Sequence, residues 1–209
     1  MANKDLTDKS YWRSYWDEQM PASGLPDHFI DKYEKELLPP FRTYLSKLPA
    51  ASVLEIGGFP GSFLLALTRR FGLKRAGIID YCLDQPDRII ENFAELGCRL
   101  EVHKRDLFAD DLSDIELFDV VYSMGFVEHY PDIELTTRKH LGCLKKGGIL
   151  IIGMPVFLGI NWWLARYLSP DNFASYYTHI MNDTLWLKLP RELGIVLEYS
   201  GYVGGLNPH

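Results

Sequence analysis

Short apolar runs alternate with amphipathic segments through the middle of the chain. Each run is bounded by glycine, proline or charged residues, which predicts a buried strand, and the segments between the runs repeat apolar residues at helical spacing. The predicted strands are Ala51 to Ile56, Arg75 to Asp80, Arg99 to Lys104, Leu117 to Ser123 and Ile149 to Met154, and the predicted helices are Ser62 to Arg70, Pro86 to Leu96 and Asp132 to Leu144. This alternation predicts a three-layer α/β fold, with a mostly parallel sheet that carries helices on both faces.

The segment before the first strand predicts an N-terminal helical cap over residues 1–50. One helix is expected at Phe29 to Leu38, stopped by Pro39-Pro40, and a second at Phe41 to Leu48. An aromatic run, Tyr11 to Trp16, lies near the beginning of the chain. Its rings either pack on the core or close over a ligand, and the sequence leaves both interpretations open.

The alternation ends at Pro155. Residues 155–209 predict two helices, Val156 to Leu168 and Asp183 to Leu193, and a last strand at Ile195 to Tyr202. We interpret this region as a substrate lid with a final strand. Together with a ligand-binding core at residues 51–154, it forms one compact domain overall.

The stretch from Gly148 to Leu168 is apolar enough to require a membrane test. Pro155 and several glycines interrupt it, whereas a spanning helix needs about 20 continuous apolar residues. The pattern therefore favours a buried strand followed by an apolar lid helix over a membrane span.

Composition and charge narrow the class of protein. The chain has 209 residues, 47% of them hydrophobic, and a net charge of -6 without a basic stripe, which argues against a nucleic-acid partner. Cys82, Cys98 and Cys143 lie far apart, which suits a reducing compartment and predicts neither disulfides nor a metal site. The polar start, Met1 to Ser10, does not resemble a secretory signal, so a cytoplasmic location is expected.

A glycine-rich turn follows the first predicted strand. Gly57, Gly58 and Gly61 let the backbone turn sharply into a helix, and a strand, a glycine turn and a helix N-terminus together form a cradle for a nucleotide-like ligand. The alternative is a tight turn of the kind found in any α/β protein.

Two aspartates follow the next strands, at the sheet edge where open parallel sheets bind ligands. Asp80 can accept hydrogen bonds from both hydroxyls of a ribose, although a turn or helix-capping role is also compatible. Asp106 can accept from an exocyclic amine, or it can form an Asx-turn.

Five motifs in order, over about Ser52 to Met154, resemble the class I S-adenosylmethionine-dependent methyltransferases. The matching residues are Glu55-Ile56-Gly57-Gly58-Phe59-Pro60-Gly61, then Asp80, then Arg105-Asp106-Leu107-Phe108, then Phe118 to His129, and finally Leu144 to Leu150. The resemblance implies a Rossmann-like fold and S-adenosylmethionine as the cofactor, with S-adenosylhomocysteine as the product.

The same resemblance implies the cofactor-binding residues, which are Glu55, Gly57, Gly58, Phe59, Gly61, Asp80, Tyr81, Asp106, Leu107, Ser123 and Glu128. Asp80 would bind the adenosyl ribose, and Asp106 with the Leu107 backbone would contact adenine. The chain departs from the family pattern at two places. Phe59 stands where the family has a glycine, and only Ile195 to Tyr202 is available for the family's final antiparallel strand pair.

The resemblance implies methyl transfer to a substrate nucleophile. A hydroxyl acceptor also needs a base, and His129, which follows the fourth strand, is the candidate, unless it only fixes the loop. His140 is expected to face solvent. The predicted substrate residues are His129 and, in the lid region, Trp162, Tyr176, Tyr177 and His179.

The aromatic lid and the acidic charge favour a small-molecule acceptor over a nucleic acid, and O-methylation of a hydroxyl is the reaction that we expect. The alternatives are a non-catalytic S-adenosylmethionine-binding subunit and a nicotinamide-dependent oxidoreductase. A homo-oligomer and a complex with a partner subunit are both compatible with the sequence.

Overall fold

The computed structural model describes residues 6–19, 37–83, 86–157 and 159–203. Most of the predicted helix Phe29 to Leu38 and the tail from Gly204 to His209 lie outside these described residues.

Five parallel strands form the sheet at the centre of the structure. They are β1 (Ser52–Ile56), β2 (Arg75–Ile79), β3 (Arg99–His103), β4 (Phe118–Met124) and β5 (Leu144–Gly153), in the order β3-β2-β1-β4-β5. All five residues of β1 are buried, because this strand pairs with β2 on one side and with β4 on the other. The order reverses at β1, and the crevice at the carboxyl end of β1 is therefore the expected place for a ligand.

The helices connect the strands and extend the fold at both ends. They are α1 (Lys9–Gln19), α2 (Leu38–Leu45), α3 (Ser62–Phe71), α4 (Pro86–Ala94), α5 (Ile133–Leu141), α6 (Ile160–Leu168), α7 (Pro170–Ala174) and α8 (Asp183–Leu193). The α/β fold and the parallel sheet predicted from the sequence are confirmed.

Two apolar clusters cover the two faces of the sheet. On one face, α2, α3 and α4 pack on the sheet, and the ring of Phe41 lies 4.9 Å from that of the fully buried Tyr122. On the other face, Leu54, Ile56 and Phe118 form a second cluster that includes Cys143. Helices on both faces explain why the strands are continuous apolar runs rather than alternating ones.

The structure corrects two predicted boundaries. The helix predicted at Phe41 to Leu48 is α2, which runs from Leu38 to Leu45, so that Pro39 and Pro40 occupy its first turn, where the missing N–H groups of proline cost nothing. The helix predicted at Asp132 to Leu144 ends at Leu141, and the strand predicted at Ile149 to Met154 is β5, which already begins at Leu144. The register of β4 and β5 shifts there, and Gly148 is required because a Cβ at this position would lie 2.8 Å from the Asp119 carbonyl oxygen.

The predicted last strand, Ile195 to Tyr202, is wrong. This segment carries no strand pairing in the described part of the chain. Gly194, at φ 68°, ends α8 and turns the chain, and the Tyr202 hydroxyl then donates to the Asp183 carboxylate at 2.6 Å. The segment therefore runs beside α8 instead of adding to the sheet. Among the described residues, no helix has the length and hydropathy needed to cross a membrane.

Candidate functional site

A cavity of about 320 Å³ lies at the carboxyl end of the sheet, beside the reversal of strand order at β1. The turns after β1, β2 and β4 form its floor, and α1 forms one wall. Its aromatic lining comprises Tyr11, Trp12, Tyr15, Trp16, Phe59, Phe63, Tyr81, Phe126, Tyr130 and Tyr176. Its ionisable lining comprises Glu55, Asp80, Arg105, Glu128 and His129, besides tyrosine hydroxyls.

The glycine turn shapes the floor of the cavity. Gly57 adopts a φ of 68°, and a Cβ there would lie 2.3 Å from Cδ2 of Phe126, so no other residue fits without rearrangement. Gly58 packs against Glu55, since a Cβ would lie 2.6 Å from its Cγ. Gly61, at φ 84°, precedes α3 and lies outside the cavity lining.

Glu55 is a buried carboxyl group at the end of the central strand. Its Oε2 atom has no hydrogen-bond partner among the described residues. The pKa of Glu55 is raised to about 8, mainly by burial; the Tyr122 hydroxyl acts to lower it, and the nearby Asp80 carboxylate adds a smaller raising effect. A cation placed in the cavity would stabilise the ionised form of this group.

Asp80 is held rigidly at the end of β2. Its Oδ1 accepts from the backbone N–H of Cys82 at 2.7 Å, and its Oδ2 accepts from that of Phe59 at 3.1 Å. Burial raises the pKa of Asp80, while these two donors lower it. Each carboxylate oxygen has a further lone pair available to a ligand.

The third motif contributes to the cavity through Leu107 rather than Asp106. The buried Leu107 lines the cavity. The Asp106 carboxylate accepts from the N–H groups of Phe108 at 2.9 Å and Ala109 at 3.1 Å, which is the Asx-turn that the sequence left open, and Asp106 lies outside the lining.

Ser123 points away from the cavity. Its hydroxyl lies 3.0 Å from Nε2 of His140, whose Nδ1 lies 2.7 Å from the Thr136 carbonyl oxygen. The expectation that His140 faces solvent is wrong, because its imidazole is completely buried between α5 and β4. Since a carbonyl oxygen can only accept, His140 carries its proton on Nδ1 and accepts at Nε2 from Ser123.

Glu128 and His129 form a pair of buried ionisable groups in the short helical turn after β4. His129 donates its Nδ1–H to the Ser175 carbonyl oxygen at 2.9 Å, which leaves a lone pair on Nε2, 3.9 Å from Oε1 of Glu128. Burial lowers the pKa of His129 to about 4 and raises that of Glu128 to about 8. Oε2 of Glu128 has no hydrogen-bond partner within the described chain.

The aromatic run near the N-terminus closes over the cavity. Tyr11, Trp12, Tyr15 and Trp16 all line it from α1. The Trp12 ring stands perpendicular to the His129 imidazole at 4.8 Å, and the Trp16 ring packs on Phe59 at 5.5 Å. Phe59, the departure from the family's glycine, thus contacts α1. The four aromatic residues stand at positions i, i+1, i+4 and i+5, a spacing that places them on one face of a helix. No feature of the sequence indicated that this face covers the cavity.

One of the four lid residues reaches the cavity. Tyr176 lines it and lies 5.1 Å from the His129 ring. Trp162, Tyr177 and His179 lie outside the lining: Trp162 packs on Phe173, and the Tyr177 N–H donates to the Glu128 carbonyl oxygen at 2.8 Å. Tyr81, in contrast, lines the cavity at the end of β2.

The chemistry of the cavity fits a cationic nucleoside such as S-adenosylmethionine. Three carboxyl groups face it, and two of them have an oxygen without a partner among the described residues. The single guanidinium in the lining, Arg105, is paired with Asp114 at 2.6 Å. A positively charged sulfonium ligand would complement this excess of carboxyl groups. In the described chain, no cluster of three or more potential metal ligands occurs.

The fold and the cavity define the class, which is an α/β protein with a parallel sheet, a glycine turn and the Asp80 carboxylate at a cavity beside the reversal of strand order. A family model described as "Methyltransferase domain" matches residues 29–204. The chain belongs to this family, and the predicted membership in the class I S-adenosylmethionine-dependent methyltransferases, with their cofactor, is confirmed. No curated protein sequence matches the chain.

Solved structures share the fold at low sequence identity. An O-methyltransferase family protein from Burkholderia thailandensis is 22% identical, with a TM-score of 0.54 over 84% of this chain and 56% of its own. A Methanococcus maripaludis protein classed with the S-adenosylmethionine-dependent methyltransferases is 18% identical, with a TM-score of 0.53 over 93% of this chain and 87% of its own.

The plantazolicin methyltransferase BpumL, solved with a pentazolic desmethylPZN analog and S-adenosylhomocysteine, is 16% identical, with a TM-score of 0.52 over 88% of this chain and 74% of its own. The chain covers between 34% and 60% of the length of the first four structures it matches.

Proposed function

We propose that this protein transfers a methyl group from S-adenosylmethionine to a hydroxyl group of a small organic acceptor, and that His129 accepts the hydroxyl proton. The observation that carries the proposal is the hydrogen bond between Nδ1 of His129 and the Ser175 carbonyl oxygen, which fixes the tautomer with a lone pair on Nε2. A hydroxyl nucleophile needs such a base in its transition state, whereas a neutral amine does not.

Residues at the ends of β1 and β2 would hold the cofactor. Asp80 would accept hydrogen bonds from ribose hydroxyls, and Glu55 would pair with positive charge in the amino-acid tail, beside the backbone of Gly57 and Gly58. Leu107 would supply an apolar contact to the base. When bound, S-adenosylmethionine supplies a methyl group that is already activated for attack by its positively charged sulfur.

The role of His129 follows from its surroundings. Its lowered pKa keeps the imidazole neutral above pH of about 4, so Nε2 is available as an acceptor at physiological pH. After it takes the acceptor proton, the cation remains bonded to Ser175 through Nδ1. The ionised Glu128 carboxylate, 3.9 Å away, would stabilise that cation. Ionisation of Glu128, with its pKa near 8, should therefore raise the rate.

Aromatic rings from α1 and from Tyr176 would exclude water and hold the acceptor. Their flat apolar faces suit a planar or apolar small molecule better than a polymer, and the net charge of -6 supports the same preference.

The test measures release of S-adenosylhomocysteine from S-adenosylmethionine with a panel of phenols, aliphatic alcohols and amines. We expect turnover with a hydroxyl compound and a loss of about 10²–10⁴-fold in kcat for His129→Gln, which keeps a donor for Ser175 but removes the base. The wild-type rate should rise as the pH passes 8, and this rise should disappear in Glu128→Gln.

Other outcomes would contradict the proposal in different ways. Turnover with amines alone would replace O-methylation with N-methylation. An unchanged rate in His129→Gln would assign His129 to fixing the loop. Tight binding of S-adenosylhomocysteine without turnover of any acceptor would favour a non-catalytic subunit.

A further inference from the structure

Unburied apolar surface is concentrated in the C-terminal part of the protein. Twelve of the seventeen large apolar side chains that are exposed in the described chain lie between Ile160 and Val203. Five of these twelve belong to α6, a helix of nine residues in which no side chain is buried. An apolar patch of this kind on a water-facing surface marks an interaction site.

The exposed residues of α6 form one stripe. Ile160, Trp163, Leu164, Tyr167 and Leu168 occupy positions i, i+3, i+4, i+7 and i+8, which at 100° per residue cover an arc of about 140°. The Trp163 and Tyr167 rings stack nearly parallel, 5.9 Å apart. This spacing is the one by which helices pack on other helices, yet here the stripe faces solvent.

The side of α6 opposite the stripe packs against the rest of the protein. Asn161, Trp162 and Ala165 are half-buried, and the Trp162 ring packs edge-on against Phe173 of α7 at 5.6 Å. Among the described residues, this narrower face is the one that packs on the rest of the protein, and the stripe is the larger apolar face that they leave unpartnered.

The charge of α6 and the net charge of the protein bear on which kind of partner could bind the stripe. Arg166 is the only charged residue of α6, and its guanidinium lies over the Trp162 ring at 5.2 Å, at the edge of the stripe. Two copies of the stripe could therefore meet without apposing like charges along it. An anionic lipid surface would need clustered Lys and Arg, whereas α6 supplies one and the protein carries a net charge of -6.

We propose that the stripe on α6 is the docking surface for a second copy of this chain, with the two α6 helices packed across a two-fold axis. Such an interface is self-complementary, because each copy contributes the same five side chains. Tryptophan, tyrosine and arginine are also the residues enriched at the centres of protein interfaces. The proposal is independent of the acceptor and of His129.

The experiment is sedimentation analysis of the protein between about 1 and 100 μM, with Leu164→Lys as the variant in the stripe. The matched control is Leu135→Lys on α5, where an exposed leucine receives the same change (46% exposed, against 37% for Leu164). We expect the wild-type protein and the control variant to form the same dimer. In Leu164→Lys the dimer dissociation constant should rise on the order of 100-fold, since the change removes from both copies a leucine that the dimer would bury. Far-UV circular dichroism verifies folding, and Tyr167→Lys provides a second stripe variant.

Three results would overturn the proposal. The first is a wild-type protein that remains monomeric at 100 μM. The second is a dimer that neither stripe variant weakens, because another face would then form it. The third is a monomer that floats with phosphatidylcholine vesicles and loses this binding in Leu164→Lys, which would assign the stripe to a lipid surface.

Discussion

The Asp80 carboxylate accepts a hydrogen bond from the backbone N–H of Phe59 at 3.1 Å, and this bond ties the end of β2 to the turn after β1. The other carboxylate oxygen is fixed by Cys82 at 2.7 Å. Two strand ends are thereby held in one geometry around the cavity before any ligand binds. Such preorganisation reduces the ordering cost of binding.

The first prediction concerns Asp80 and its counterpart in the third motif. Asp80→Asn should weaken S-adenosylhomocysteine binding about 10–100-fold, because a charge-assisted hydrogen bond contributes about 1.5–3 kcal/mol. Asp106→Asn is the matched control, since its carboxylate is engaged by Phe108 and Ala109 in a turn. Isothermal titration calorimetry measures both. Equal losses would show that Asp106 also binds the ligand, as the family resemblance implies.

The second prediction compares two glycines with a positive φ, of which only Gly57 is crowded by a neighbouring side chain. Gly57→Ala should destabilise the protein by about 2–5 kcal/mol, because its Cβ would collide with Phe126 and its φ is 68°. Gly72→Ala, with a φ of 64° and open space around it, should cost only about 1–2 kcal/mol. Urea unfolding at pH 7 compares the two. Similar losses would mean that Phe126 moves aside.

The third prediction uses the raised pKa of Glu55. In the folded protein this pKa is about 8, whereas its ordinary value is 4.5. Between pH 4.5 and 8, the folded protein therefore keeps a proton on Glu55 that the unfolded chain has lost. Stability should therefore fall as the pH rises from 4.5 to 8, on the order of 4–5 kcal/mol from this group. Urea unfolding from pH 5 to 8.5 should show a shallower decline in Glu55→Gln. An unchanged decline would place the titration elsewhere.

The fourth prediction concerns the buried His140. Burial lowers its pKa from 6.5 to about 4. Between pH 4 and 6.5, the unfolded chain therefore binds a proton on His140 that the folded protein does not bind. Stability should be lost as the pH falls from 6.5 to 4, by about 3 kcal/mol from this residue. His140→Gln should reduce that loss. Thermal unfolding of the variant and the wild type across this range measures the difference. Equal slopes in the two proteins would contradict the assignment.

The sequence was informative wherever one local pattern carried the structure. Continuous apolar runs predicted the five strands of the parallel sheet, and the glycines after β1 predicted the turn at the cavity. Both follow from near-neighbour physics, namely burial on two faces and a positive φ at Gly57. The cofactor roles of Asp80 and Glu55 stay predictions, although the structure brings both to the cavity.

The sequence was less informative wherever an outcome depended on contacts across the chain. His140 lies on a helix and was predicted to face solvent, but its imidazole is buried and accepts a hydrogen bond from the hydroxyl of Ser123 on a neighbouring strand. The segment from Ile195 to Tyr202 has the composition of a strand but pairs with no strand of the described structure, since the turn at Gly194 directs it along α8.

What the sequence determined by itself is therefore the five strands of the sheet with the helices between them, the glycine turn and the methyltransferase class. Only the tertiary structure decided that α1 covers the cavity with Trp12 against His129, that Ser175 fixes the tautomer of that histidine, and that α6 presents its apolar stripe outward. The physical reason is range: local patterns set backbone geometry and burial, whereas these contacts join residues 46 or more positions apart, or depend on which face of a helix the rest of the chain covers.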